Sequence, residues 1–152
     1  MADQLRRAFQ GDAWHGPAVK ELLANVSAGQ AAARPIDSAH SIWELMLHIE
    51  AWENVAFAAI GGIAMPTKMP PEQDFQKVAH KEEAAFKTAK DRLFERNEEL
   101  AAAIERFDPA RLQDTVPGRT YDFYHLFHGM TQHALYHAGQ IALLKKTVQA
   151  AA

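Results

Sequence analysis

Apolar residues along this chain recur at steps of three and four, the spacing that lines one face of an α-helix. Runs of β-branched residues and Asn-Gly or Asp-Gly hairpin turns are nearly absent, so strands are not expected. A first helical segment spans about 2–27, broken at Gly11-Asp12 and again at Gly16-Pro17. Pro17 fits the first turn of a helix that carries Val19, Leu22, Leu23 and Val26 inward. An alanine-rich stretch over 27–33 ends before Arg34-Pro35. The spacing predicts a second helix from Ser41, which stands three residues before Glu44 as in a capping box. Its core arc is Ile42, Leu45, Ile49, Trp52, Val55, Ala56 and Ala59, and Gly61-Gly62 ends it.

The next connection, Met65-Pro66 to Pro70-Pro71, is too rich in proline to be helical. Phe75, Val78, Phe86, Ala89, Leu93, Leu100, Ile104 and Phe107 then predict a long third helix over about 73–107, with a charged outer face. Asp108-Pro109 stops it, and a loop with Pro117-Gly118 leads into a final helix over about 121–148. The core arc of that helix is Phe127, Met130, Ala134, Ala138, Ile141, Leu144 and Val148. Four main helices without internal repeats predict an all-α fold, a four-helix bundle with long inter-helix connections, in one domain over 1–152.

Composition removes several function classes. With 48% hydrophobic residues, but no apolar run near the roughly 20 needed to span a bilayer, no membrane role is expected. Met1-Ala2-Asp3-Gln4-Leu5-Arg6-Arg7 leads into mixed-polarity sequence without a secretion signal, so a cytoplasmic location is expected. The net charge of −3 gives no electrostatic reason to bind nucleic acid. Arg6-Arg7 and Lys145-Lys146 read as solvated or helix-terminal charge. The chain has no cysteine, which excludes disulfides, thiolate metal sites and a cysteine nucleophile. Any metal must be held by nitrogen and oxygen.

Phase on the helical wheel sorts the eight histidines. His133 and His137 in the last helix stand about 40° apart on the edge of the core arc, the arrangement by which one helix offers two imidazoles to one ion. His125 and His128 lie roughly 80–180° from that pair and read as surface or interface residues. His48 sits at the edge of the apolar arc of the second helix and is the candidate third ligand, since metal sites in bundles draw on inward side chains of facing helices. Glu44, one turn before His48, reads first as the capping-box carboxylate and alternatively as a fourth ligand or an acceptor orienting an imidazole. His40 precedes the second helix and is unconstrained, while His80 belongs to the charged face of the third. His15 adjoins Trp14 at a chain bend and is a candidate for lining a cleft.

The run Ser41-Ile42-Trp43-Glu44-Leu45-Met46-Leu47-His48-Ile49-Glu50-Ala51-Trp52 resembles the second-helix signature of the DinB-like (DinB/YfiT) superfamily. The run from His128 through His133 and His137 to Ile141 is similar to its final-helix signature, and Trp14-His15-Gly16-Pro17 to an N-terminal motif of many members. The resemblance covers essentially the whole chain. It implies a four-helix bundle with one divalent metal, usually zinc or nickel, held by His48, His133 and His137. It also implies a homodimer and a small-molecule substrate. Characterised activities in the family include S-transfer from low-molecular-weight thiols and mycothiol-dependent isomerisation.

Three neutral imidazoles leave a metal with an open position, as in catalytic rather than structural sites. Together with the resemblance, this makes the leading expectation a metal-dependent enzyme, a thiol S-transferase acting on a small electrophile with a low-molecular-weight thiol as co-substrate. A hydrolase using metal-bound hydroxide is the alternative among enzymes. A non-catalytic, dimeric metal-binding module is the alternative outside them. The acid or base is not assigned by spacing, and its candidates are Glu44, His15, Tyr136 and Asn54.

Overall fold

The computed structural model describes residues 1–79 and 81–150. Among these the chain is helical, with no strand beyond an isolated bridge between Thr115 and Asp122. The helices are α1 (Ala2–Gln10), α2 (Val19–Leu23), α3 (Ala28–Ala32), α4 (Ile42–Ile60), α5 (Pro71–Asp74), α6 (Glu83–Glu105) and α7 (Phe123–Ala150), with a 3-10 turn at Pro109–Arg111. Both α1 and α4 pack against α6 and α7, so the four longest helices close a four-sided bundle around one apolar core. No helix among the described residues is long and apolar enough to cross a membrane.

The capping box at the start of α4 forms as the sequence predicts. Ser41 Oγ accepts from the Glu44 N–H at 3.2 Å, and the Glu44 carboxylate accepts from the Ser41 N–H at 2.9 Å. The N-terminal segment is more broken than its pattern. Pro17 does not enter the first turn of a helix: α2 starts after Ala18, whose N–H donates to the Glu21 carboxylate at 2.7 Å. Lys145, read as solvated or helix-terminal charge, reaches from α7 to the Glu21 and Ala24 carbonyls and ties down the C-terminal end of α2.

The third helix departs most from expectation. Instead of one helix over 73–107, the single turn α5 ends at Asp74, and α6 begins only at Glu83. Phe75 leaves helical geometry at φ −123° and ψ 84°. The Asp74 carbonyl, which a continuing helix would give to an N–H four residues on, accepts instead from the His48 imidazole at 2.9 Å. Phe75 and Val78 are half-buried against the core, but from an irregular strap. His80, expected on the charged face of that helix, lies outside the described residues.

One buried polar pair joins α4 to α6. Glu53 is 1% exposed and Asn97 fully buried, and Asn97 Nδ2 donates to Glu53 Oε1 at 2.8 Å. Glu53 Oε2 and Asn97 Oδ1 have no partner among the described residues. Burial pushes the Glu53 carboxyl up to about 8 against the opposing effects of Asn97 and Arg96, so it is neutral at pH 7. Its proton makes one orphaned oxygen a donor, and the other is an acceptor.

Candidate metal centre

His48 projects from α4 towards α7, where His133 and His137 stand one turn apart. His48 Nε2 is 3.0 Å from His133 Nε2, and His137 Nε2 is 3.1 Å from the same atom. All three donor atoms lie within 4.8 Å of one another. Two nitrogens at about 2.0–2.1 Å from a shared ion are roughly 2.9–3.4 Å apart for bond angles between octahedral and tetrahedral, so both spacings at His133 fit a shared divalent ion. The three histidines singled out in the sequence are thus brought together.

The outer nitrogens decide which way the lone pairs face. His48 Nδ1 has the Asp74 carbonyl and a carboxylate oxygen of Asp74 each at 2.9 Å. A carbonyl can only accept, so Nδ1 carries the proton and Nε2 is left bare for a metal. His137 Nδ1 is set in the same way by Gln140 Oε1 at 2.7 Å, one helical turn further along α7. Among the described residues His133 has no such partner, and its buried Nδ1 is unpaired. Burial lowers the pKa of all three imidazoles, and for His133 burial with its two histidine neighbours brings it to about 3. The cluster is neutral at pH 7, as metal ligation requires.

The residues that hold His48 form a layered wall. Phe75 lies flat between His40 and His48, with ring centroids 3.7 Å and 4.0 Å away and planes within 4° of parallel. Trp52 Nε1 donates to the Asp74 carboxylate at 2.9 Å. His40 is therefore not unconstrained. It stacks on Phe75 and stands 3.7 Å from the Glu44 carboxylate.

The acid and base candidates fall in different places. Glu44 serves its capping box and also accepts from Arg34 at 2.7 Å on both oxygens, outside the converging donor set. Burial would raise its pKa, but the Ser41 N–H and the Arg34 guanidinium outweigh it and hold it below the ordinary value. His15 is exposed and lines a small hollow with Trp14, Thr131 and Leu135. Thr131 and Leu135 stand two residues from His133, about 200° around the helix, so that hollow is on the far side of α7. Tyr136 is exposed beside His137 at 5.0 Å between ring centroids, and Asn54 is exposed on α4. His125 and His128 are exposed, as their phase predicts.

Next to His133 a cavity of about 290 Å³ opens between α4, α7 and the connection after α4. Trp52, Met65, Leu126 and Met130 wall it, and Tyr121 and His125 also line it. Wheel reasoning missed Asp74 and Phe75, because a continuous third helix leaves them no reason to face His48. Gln140 was within reach of the same argument, three residues after His137 on one face.

The sequence profile of the DinB superfamily matches residues 13–141, most of the chain and all three clustered histidines. The chain belongs to the DinB superfamily. Comparison with curated proteins and with solved structures gives no match.

Proposed function

We propose that this protein is a metal-dependent enzyme that holds one divalent ion, zinc or nickel, on His48, His133 and His137 and transfers a low-molecular-weight thiol to a small electrophile. The observation that carries the reading is the convergence of three neutral Nε2 atoms, two of them aimed by Asp74 and Gln140, beside an open cavity. A divalent ion there supplies a Lewis acid that favours the thiolate over the thiol at neutral pH. In the transfer, the thiol proton leaves to solvent, sulfur forms the new C–S bond with its electron pair, and the leaving group departs with the electrons of its own bond.

The chain's own residues contribute position and exclusion. Asp74 and Gln140 fix the imidazole tautomers, while Phe75 and Trp52 shield His48 and hold its ring plane. A homodimer in the cytoplasm belongs to this reading, and sedimentation of the purified protein tests the dimer. The central experiment is elemental analysis of untagged protein, followed by thiol consumption in the presence of an electrophile. One equivalent of metal and a rate lost in His137→Ala are expected. A rate equal in wild type and His137→Ala overturns the catalytic reading, and absence of metal after incubation with zinc or nickel overturns the site.

A further inference from the structure

Gly129 stands inside α7, two turns from its start, where a glycine costs helix stability relative to alanine. Close packing does not explain it: beyond the adjoining helix backbone, a Cβ at this position meets no atom of the described residues within 4 Å. Yet the residue is half-buried and lines the cavity beside His133. What its missing side chain preserves is open space next to the three histidines.

The opposite wall of that space is held firmly. The Met65 N–H donates to the Pro117 carbonyl at 2.9 Å, and Arg119 donates to the Pro66 carbonyl at 2.6 Å. Gly118, at φ +77°, lets the Met65 carbonyl come within 2.6 Å of where a Cβ would stand. Trp52 is pinned by Asp74. The walls are an indole, two thioethers and a leucine, groups that pack well against aromatic ring faces. About 150 Å³ suffices to hold one benzene ring in an apolar cavity. The 290 Å³ here therefore admits a substituted single ring, with one end at His133.

Resting on the metal-centre reading above, we propose that this cavity binds the apolar part of the substrate, a compact molecule built on one aromatic ring with a metal-binding donor atom at one end, and that Gly129 sets the size limit. The ring lies between Trp52, Met65 and Met130, and its donor atom points past His133 to the ion position. Larger side chains at 129, one helical turn before His133 on the same face, shorten the cavity.

The test uses full-length protein with ¹³C-methyl-labelled methionine, titrated with toluene and with phenylmethanethiol, each with and without bound zinc. Toluene is expected to shift the Met65 and Met130 methyl resonances in both forms, and zinc to tighten phenylmethanethiol alone. Gly129→Leu is expected to weaken both probes at least tenfold while retaining one equivalent of zinc. Gly129→Ala is expected to weaken them less and to raise Tm by about 2–4 °C. Gly139→Ala is the control: Gly139 is also mid-helix with open space around it, but exposed, so the same rise in Tm should leave both probes unaffected. Unshifted methionine methyls, or wild-type probe affinity in Gly129→Leu, overturn the cavity proposal. Equal affinity for propanethiol and phenylmethanethiol overturns the aromatic preference. Toluene binding with zinc bound but without effect on the thiol probe overturns the placement of the donor atom at the ion, whereas toluene binding with no zinc taken up overturns the metal-centre reading instead and leaves the cavity standing.

Discussion

Two of the buried polar side chains of helix α4, His48 and Glu53, lie on different sides and solve the burial problem in opposite ways. Towards α7, His48 joins two other histidines whose spare nitrogens converge on one point. Towards α6, Glu53 meets a single asparagine, and each of the two side chains keeps one orphaned oxygen. The first group is aimed by outside partners, Asp74 and Gln140, and its unmet lone pairs share a centre that a cation can fill. Among the described residues the second has no outside hydrogen bonds and no converging donors, and a proton is enough to neutralise it. Convergence of lone pairs, rather than burial or polarity alone, separates a candidate metal site from a structural polar pair.

The largest expected effect tests the convergent side. His48→Ala or His137→Ala should weaken zinc binding by well over 100-fold, beyond the ~10–100-fold typical of changes to groups that only orient a ligand. Isothermal titration checks this, and wild-type affinity in either variant would break the distinction between the two groups.

The next effect belongs to Glu53. Its pKa in the folded chain is about 8 against the ordinary value of 4.5, so below the lower value folded and unfolded states are both protonated and burial carries no ionisation cost. As pH rises from there to about 8, the unfolded chain releases a proton that the folded chain keeps. Stability should therefore fall by roughly 1.4 kcal/mol per pH unit from this group, then level off once both states are ionised. Glu53→Gln keeps the shape and supplies a permanent donor. It should flatten that slope in denaturant titrations at pH 5, 7 and 9, with its greatest gain at pH 9. An unchanged slope would show that Glu53 is already ionised in the folded protein.

A smaller effect sharpens the role of the aiming groups. Asp74→Ala removes the carboxylate but leaves the backbone carbonyl on His48 Nδ1, so zinc affinity should fall by only about tenfold. Gln140→Ala removes the side-chain partner of His137 Nδ1 and should cost at least as much. If Asp74→Ala weakens zinc as strongly as His48→Ala, the carboxylate is itself a ligand.

These differences mark how far the sequence reaches. Periodicity located α4 and α7, and a four-residue step placed His133 and His137 on one face, because both are properties of a single helix. The Ser41–Glu44 cap was legible for the same reason. Asp74, Phe75 and the break before α6 were not. There a tertiary hydrogen bond to His48 takes the carbonyl that helix continuation needs, and a pattern of threes and fours carries no trace of that competition. Asn97 was hidden for a related reason, since a polar residue on a helix declares its burial only through its partner across the interface.

The turn at Pro71–Asp74 has one more consequence. The amides of Gln73, Asp74 and Phe75 bond to the carbonyls of Pro70 and Pro71, and the same turn grips the back of His48. An ion on the front of that ring stabilises the orientation that the turn requires, and the coupling runs equally in both directions. Filling the centre should therefore slow deuterium uptake at three backbone positions that no ion touches, and loosening the turn should speed the ion's escape.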